Sequence, residues 1–280
     1  MLKSELYKAF HNKGMYLACI IGAIFAALAF FIDDKGLITQ ILSIQKQDEW
    51  GIIYKNKSTT GINIYSAWMG LRPCSFQYIL FFLFPLICVI PHGMSYCKDM
   101  KSGYINQILS RVSYKKYYGS KLLAVMISGG FVCAAPLVVN FLLCMCVFPL
   151  SEPVIGCGEF NIFNLNVLSR LFCEHALLYV AIYVVFVFLY MGIIAAMALG
   201  VTCMDKNIFI VLSTPFIIVF AMHTVCTWLL GNEKMSPMRI ISMNTIYIED
   251  LNKIFVEIIL IIFVSFPFVI KIFQKKGDVL

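Results

Sequence analysis

Six long runs of uncharged, apolar residues dominate this sequence. A helix needs about 20 such residues to cross the roughly 30 Å hydrocarbon core of a bilayer. The runs cover 15–32, 76–97, 122–150, 176–204, 207–231 and 254–270, and the last contains one acid, Glu257. Hydrophobic residues form 61% of the chain and charged residues 13%, against about half and about a quarter in water-soluble domains. The pattern predicts an all-α membrane protein with six transmembrane helices.

The distribution of Lys and Arg predicts the orientation, because these residues are retained on the cytoplasmic side of the membrane. Six spans place both termini on one side. If that side is the cytoplasm, its segments 1–14, 98–121, 205–206 and 271–280 hold 13 of the 22 Lys and Arg residues. We therefore predict a multi-pass protein of the bacterial inner membrane with cytoplasmic termini and a large outer loop at 33–75. The net charge of +7 then reflects topology and contact with anionic lipid, and no nucleic-acid partner is expected.

The first 14 residues predict a short helix that lies flat in the membrane interface. Leu2, Leu6 and Phe10 recur every four residues, and three lysines take the other faces. This pattern is typical of interfacial helices. A solvated, frayed tail is the alternative for so short a segment.

Most of the 11 cysteines fall inside the apolar runs, where thiols behave as small hydrophobic side chains. Cys74 and Cys157 alone lie clearly on the predicted outer side. The sequence does not decide whether these two form a disulfide, and free thiols are the default expectation.

Three neutral polar residues, His92, Asn140 and His223, interrupt the predicted spans. Polar groups inside a membrane are costly and often functional. Neutral groups can also hydrogen-bond between helices, and we favour this structural role for all three.

The fourth predicted span carries a stripe of small residues. Gly192, Ala196 and Gly200 recur every four residues, which lets another helix approach closely. We favour a partner helix in the same chain over one in a second subunit.

Catalytic motifs are missing from the sequence. It contains no GxxxxGK[ST] phosphate-binding loop, no HExxH, no CxxC and no GxSxG, which are the patterns that hold nucleotides, metals or catalytic nucleophiles. Its four histidines are scattered and form no cluster with acids. We therefore expect no enzymatic activity and no cofactor or metal bound by this chain.

The 98–121 segment between the second and third predicted spans is the most informative stretch. Ile105, Ile108 and Leu109 fall at helical spacing on one face, with polar residues on the others. This spacing predicts a short amphipathic helix at the inner membrane surface. Such a helix can dock on a cytoplasmic protein or rest on lipid.

The layout of the chain resembles the membrane subunit of type-2 ATP-binding-cassette exporters. Shared features are the interfacial helix, the outer loop and a second span that runs into a loose motif: Asp99, Gly103, an apolar pair, Arg111, Ser113, Tyr114 and Lys121. The specific residues lie within 98–121, with a weaker echo at 204–207. Family members often carry Glu where Asp99 stands, so the carboxylate here has a shorter reach.

The resemblance implies a permease that dimerises with itself or with a second permease subunit. Each subunit would dock on a separate ATPase subunit, which binds the ATP and magnesium. The exported substrate would be amphipathic or hydrophobic, such as a drug, an antimicrobial peptide or a lipid. The alternative is a non-transporting membrane protein, such as a sensor or an immunity protein that sequesters a toxin.

The resemblance also assigns residue roles. Those expected to couple the chain to the ATPase are Asp99, Gly103, Ile105, Ile108, Leu109, Arg111, Tyr114, Lys121, Asp205 and Lys206. The three apolar members would form the docking ridge. Asp99, Arg111 and Lys121 would tie the 98–121 segment to the inner end of the helix bundle.

Overall fold

The part of the chain described by the computed structural model folds as helices, with no strand among them. It comprises residues 1–48, 62–150, 153, 166–202, 207–231, 236–242, 256 and 259, with the backbone alone for 43–48. In chain order the helices are α1 Leu2–Phe10, α2 Lys13–Leu28, α3 Lys35–Asp48, α4 Ile64–Ala67, α5 Ser75–Ile87, α6 Ser95–Lys101, α7 Tyr104–Leu109, α8 Tyr114–Met145, α9 Ser169–Glu174, α10 Ala176–Val201, α11 Ile208–Thr224 and α12 Pro237–Ile240.

Four of these helices are long and apolar enough to cross a membrane. They are Lys13–Asp33, Tyr114–Met145, Ala176–Val201 and Ile208–Leu229. The first and last include a π-helical turn at their ends, Ala29–Asp33 after α2 and Val225–Leu229 after α11. These helices confirm the first, third, fourth and fifth predicted apolar segments as long helices, because each apolar run leaves the backbone no polar partner other than itself.

The second predicted span, 76–97, is interrupted. Its first part is α5, whose 13 residues extend about 20 Å and fall short of the hydrocarbon thickness. Turns follow until α6 begins at Ser95. The physical reason is Pro91, which has no N–H to donate to the carbonyl of Ile87 and so stops the helical ladder.

The interruption is enclosed by protein. The Asn12 side chain donates to the Pro91 carbonyl at 2.8 Å. A Cβ atom on Gly14 of α2 would lie 2.6 Å from the Ile90 carbonyl, and one on Gly129 of α8 would lie 2.6 Å from the Cys88 carbonyl. Non-helical backbone at membrane depth is tolerated where protein buries it, and glycines allow α2 and α8 to do so.

The centre of the bundle is the contact between α8 and α10. A Cβ on Gly130 of α8 would lie 2.2 Å from the Phe188 carbonyl, and one on Gly192 of α10 would lie 2.9 Å from the Met126 carbonyl. Gly192 thus packs on a helix of the same chain. The other two members of the predicted stripe, Ala196 and Gly200, are also buried.

Asn140 lies near the C-terminal end of α8 and joins three parts of the fold. Its side chain accepts from the Met69 N–H at 2.9 Å and donates to the Ala26 carbonyl of α2 at 3.0 Å. The neighbouring Trp68 is fully buried and donates its indole N–H to the Leu137 carbonyl at 2.9 Å. Asn140 therefore makes the interhelical hydrogen bonds expected of a structural polar group.

Several predicted features lie outside the described residues. These are nearly all of the sixth span at 254–270 with Glu257, the residues Asp205 and Lys206, and Cys157. Cys74, the other cysteine of the possible disulfide, is a buried free thiol.

Candidate functional site

A largely buried group of ionisable side chains lies where α8 begins, at the same end as α1 and α6. It consists of Glu5, His92, Asp99 and Lys121, and we call it the charge cluster. Lys121 is 0% exposed, Glu5 1% and His92 4%. Charged groups are rarely buried to this degree unless they are paired, since removal from water costs several kcal/mol for each ion.

The contacts within the charge cluster join its members into one network. Glu5 Oε2 lies 3.3 Å from His92 Nε2 and 3.7 Å from Lys121 Nζ. Lys121 also forms an ion pair with Asp99. The Tyr117 hydroxyl donates to Asp99 Oδ2 at 2.7 Å and accepts from Lys121 Nζ at 3.1 Å. Each acid therefore has two or more partners.

Four separate elements supply these side chains. Glu5 comes from α1, and Asp99 from α6. His92 lies in the interruption after α5, where the break in the helix turns its ring toward Glu5. Tyr117 and Lys121 are one turn apart on α8 and so share a face.

Helix α1 packs on α8 through Glu5 and Ala9, which are its buried residues, and the small Ala9 allows close approach. Phe10 of the predicted apolar face also contacts α8, with its ring centroid 5.4 Å from that of Phe131, whereas Leu2 is 36% exposed. The hydrophobic pattern of the sequence carries no information about a buried partner for Glu5. The position of α1 in the membrane interface stays a prediction.

Opposing effects set the pKa of Glu5. Burial alone would raise this pKa, but the hydrogen bond with His92 and the positive charges of Lys121 and Lys8 lower it to about 2. Lys8 lies 3.2 Å from Glu5 Oε1 and 3.1 Å from the Tyr104 hydroxyl. Glu5 is therefore ionised at neutral pH and acts as the shared anion of the network.

The 98–121 segment contains the second half of α6, all of α7 and the start of α8, and α6 and α7 are joined at Gly103. Gly103 has φ of +69°, a left-handed conformation that glycine adopts without steric cost. Helix α7 is attached to the rest of the protein at its first turn, where Lys8 of α1 contacts the Tyr104 hydroxyl. The segment is thus folded against the bundle at both α6 and α7.

The predicted docking ridge is partly used inside the protein. Ile105 is 3% exposed and packs with Tyr96, Tyr117, Tyr118 and Leu199. It therefore anchors α7 to the bundle. The side chains of Ile108 and Leu109 pack at the edge of the same cluster and remain half-exposed, so these two are the apolar residues of the ridge that a partner can reach.

The remaining predicted coupling residues divide between interior and surface. Tyr114 packs on Tyr118, with ring centroids 4.3 Å apart. Arg111 is exposed and lies outside the charge cluster, with no ion pair to any described residue. Of the three residues expected to tie the segment to the bundle, the structure brings together Asp99 and Lys121.

Sequence reasoning missed Glu5 and Tyr117, and it gave His92 only a general structural role. One signal was available for Glu5, which is the single acid among the first 14 residues and lies one turn from a small residue. For Tyr117 the signal was its spacing of four from Lys121. Nothing in the local sequence indicates that the break after α5 brings His92 to α1.

No group of three or more metal-binding side chains lies within the described parts of the chain. The comparisons with known proteins also give no family, since no family model, no curated protein and no solved structure matches this chain. The class defined by the fold is that of a helical membrane protein, supported by four apolar helices of membrane-crossing length.

Proposed function

We propose that this chain is the membrane-spanning permease subunit of a type-2 ATP-binding-cassette exporter in a bacterial inner membrane. In this proposal the chain has six spans, cytoplasmic termini and α1 at the inner interface. It dimerises with a second permease subunit and exports an amphipathic or hydrophobic substrate. A separate subunit docks on α7 and hydrolyses the ATP.

The observation that carries this proposal is the charge cluster. An ATP-driven permease requires a cytoplasmic element that a partner can push and that is connected firmly to the spans. The connection to the spans is supported by the contacts of the 98–121 segment, because Asp99 of α6 is paired with Lys121 of α8 and Lys121 lies beside Glu5 of α1. Lys121 is 0% exposed, so this pair resists separation because a buried charge without its partner is strongly destabilising.

The packing of the bundle indicates how a push would travel. Force on the half-exposed Ile108 would move α7 and, through Gly103, α6. The Asp99–Lys121 pair would pass this displacement to α8, which is packed along α10 with backbone contacts at Gly130 and Gly192. The two helices would shift as a unit, a rigid-body type of transition.

The proposal is tested by asking whether the chain captures an ATPase through α7. Affinity-tagged chain would be purified from membranes of its own cells, and ATP hydrolysis in the eluate would be measured. We expect wild-type chain to recover ATPase activity and Ile108→Asp to lose at least about tenfold, because a charge in an apolar contact costs well over 1 kcal/mol.

The matched control is Gln107→Asp, which adds the same charge at an exposed position of the same helix. It should retain the ATPase. A chain that recovers no ATPase in its wild-type form would contradict the proposal and favour the non-transporting alternative, a sensor or an immunity protein. Equal losses in Ile108→Asp and Gln107→Asp would rule out α7 as the docking ridge.

A further inference from the structure

A cavity of about 530 Å³ lies between the end of α11 and α12, at the opposite end of α11 from Asn207. Its lining residues are His223, Thr227, Trp228, Ser236 and Arg239. His223 and Thr227 are one turn apart on one face of the helix. Thr227 and Trp228 belong to the π-helical turn Val225–Leu229, and such turns occur often at functional sites.

The segment that carries Arg239 is held rigidly against α10. The Tyr190 hydroxyl donates to the Pro237 carbonyl at 3.1 Å, and the Tyr183 hydroxyl donates to the Ile241 carbonyl at 2.8 Å. These two bonds flank Arg239 on either side. A site held by such contacts is organised before a ligand arrives, which lowers the entropic cost of binding.

The polar lining of the cavity suits an anion. Arg239 already makes a contact within the protein, but its guanidinium carries five N–H donors in a fork that matches phosphate and carboxylate oxygens. His223 contacts Ser236 through Nδ1, so Nε2 is the ring nitrogen that remains for a ligand. The described lining includes no carboxylate.

An apolar surface adjoins the polar cavity. Trp228 is 85% exposed, Leu229 78% and Leu230 61%. They close a helix of membrane-crossing length, and Trp is enriched at the level of lipid headgroups. A ligand that fills the cavity with a charged group therefore has hydrophobic surface beside it for an apolar chain.

We infer that this cavity binds the anionic headgroup of an amphiphile, through a phosphate or carboxylate held by Arg239 and His223, with the apolar part of the ligand against Trp228. The inference goes beyond the proposed export function and does not depend on it, because it concerns binding at the membrane surface without ATP or a partner subunit.

Trp228 provides the measurement. The purified full-length chain would be placed in nanodiscs of phosphatidylcholine with increasing fractions of brominated phosphatidylglycerol, and tryptophan quenching would be compared with that caused by brominated phosphatidylcholine. We expect the anionic lipid to quench at lower mole fractions, and Trp228→Phe to abolish this difference. Arg239→Gln should weaken the apparent affinity about tenfold, the size expected for one charge-assisted hydrogen bond.

Two further variants separate binding from folding. Arg170→Gln removes an arginine that is 90% exposed and does not line the cavity, and it should leave the preference unchanged. Arg239→Lys keeps the positive charge and should retain part of the preference. Equal quenching by the two lipids, or equal behaviour of Arg239→Gln and wild type, would overturn the inference.

Adding inorganic phosphate in the millimolar range distinguishes a lipid headgroup from free phosphate as the bound anion. A lipid ligand resists this competition because its apolar chains also bind. Loss of the quenching difference would identify free phosphate as the ligand chemistry that the cavity prefers.

Discussion

Glu5 shows how one buried carboxylate can hold several elements together. Its oxygens lie within 3.7 Å of His92, Lys121 and Lys8, which come from three different parts of the fold. Because the group is buried, loss of Lys121 or Lys8 leaves its charge less fully compensated. The contributions of these side chains to stability are therefore cooperative. Paired substitutions measure the coupling energy between them.

A double-mutant cycle tests this cooperativity. Glu5→Gln and Lys121→Met should each destabilise the protein by about 3 kcal/mol, since each leaves a buried charge without one partner. The double variant should lose less than the sum, by about 1 kcal/mol or more. Thermal unfolding in detergent micelles supplies the energies. The exposed Arg170–Glu174 pair serves as the control and should show a coupling near zero.

The lowered pKa of Glu5 predicts sensitivity to acid. A carboxyl group with pKa about 2 in the folded protein, against 4.5 for the free group, stabilises the fold above pH 4.5. This contribution, on the order of 3 kcal/mol, is lost as the pH falls toward 2. Wild type should therefore lose more thermal stability between pH 5 and pH 3 than Glu5→Gln does. Parallel losses in the two proteins would show that Glu5 is not the responsible group.

Asp34 predicts the opposite pH dependence. It is buried beside Arg72 at the other end of α2, and burial, which outweighs the charge of Arg72, raises its pKa from 3.8 to about 7. The folded state then binds a proton more tightly than the unfolded state, so stability decreases as the pH rises from 3.8 to 7. Asp34→Asn does not titrate, and its unfolding temperature relative to wild type should increase between pH 5 and pH 8. A constant difference would contradict the raised pKa.

At the scale of elements, the long apolar helices could be predicted and the break after α5 could not. An apolar run specifies a helix locally, and the helices Lys13–Asp33 and Ala176–Val201 match their predicted spans closely. Pro91 explains where the helical hydrogen bonds stop. The extent of the break depends on Asn12 and on the glycines of α2 and α8, which are distant in sequence.

The charge cluster also contains residues that the sequence indicated and residues that only the fold brings together. Resemblance to a family motif singled out Asp99 and Lys121, and the structure pairs them, while their role in coupling to an ATPase stays a prediction. Glu5 and His92 join them through tertiary contacts across 87 positions of sequence, which no periodicity in a single sequence reveals. Ile105 follows the predicted helical spacing, but whether an apolar face meets a partner or its own bundle depends on the fold.

The close contact between α8 and α10 predicts how glycine substitutions in α8 change the stability of the protein. Gly130→Ala places a methyl group 2.2 Å from the Phe188 carbonyl, so the helices must separate, and we expect a loss of at least about 2 kcal/mol. Gly119→Ala in the same helix meets no atom within 4 Å and should stabilise by about 0.5–1 kcal/mol. Thermal unfolding of the two variants should shift in opposite directions. A shift of Gly130→Ala toward higher temperature would contradict the close packing.

At the scale of the whole molecule, the two sites lie at opposite ends of helices that pack together. The charge cluster is at the start of α8, and the cavity at Arg239 is at the end of α11. Both sites contact α10. Leu199 of α10 packs with Tyr117 at the charge cluster, and Tyr190 of α10 donates a hydrogen bond to the Pro237 carbonyl beside the cavity. A displacement that begins at α7 therefore has a continuous packed route to the segment that carries Arg239.

The orientation of the whole chain decides whether this route begins in the cytoplasm. Most of the Lys and Arg residues lie in segments that the proposed six-span topology would place inside, including 98–121, and the positive-inside rule then predicts a cytoplasmic position for these segments. Fusions that end at Ser110 should be active with green fluorescent protein and inactive with alkaline phosphatase. Fusions that end at Asp48, beyond the first span, should show the reverse. If Ser110 fusions gave active phosphatase, α7 would face away from any cytoplasmic ATPase, and the permease proposal would fail together with the topology.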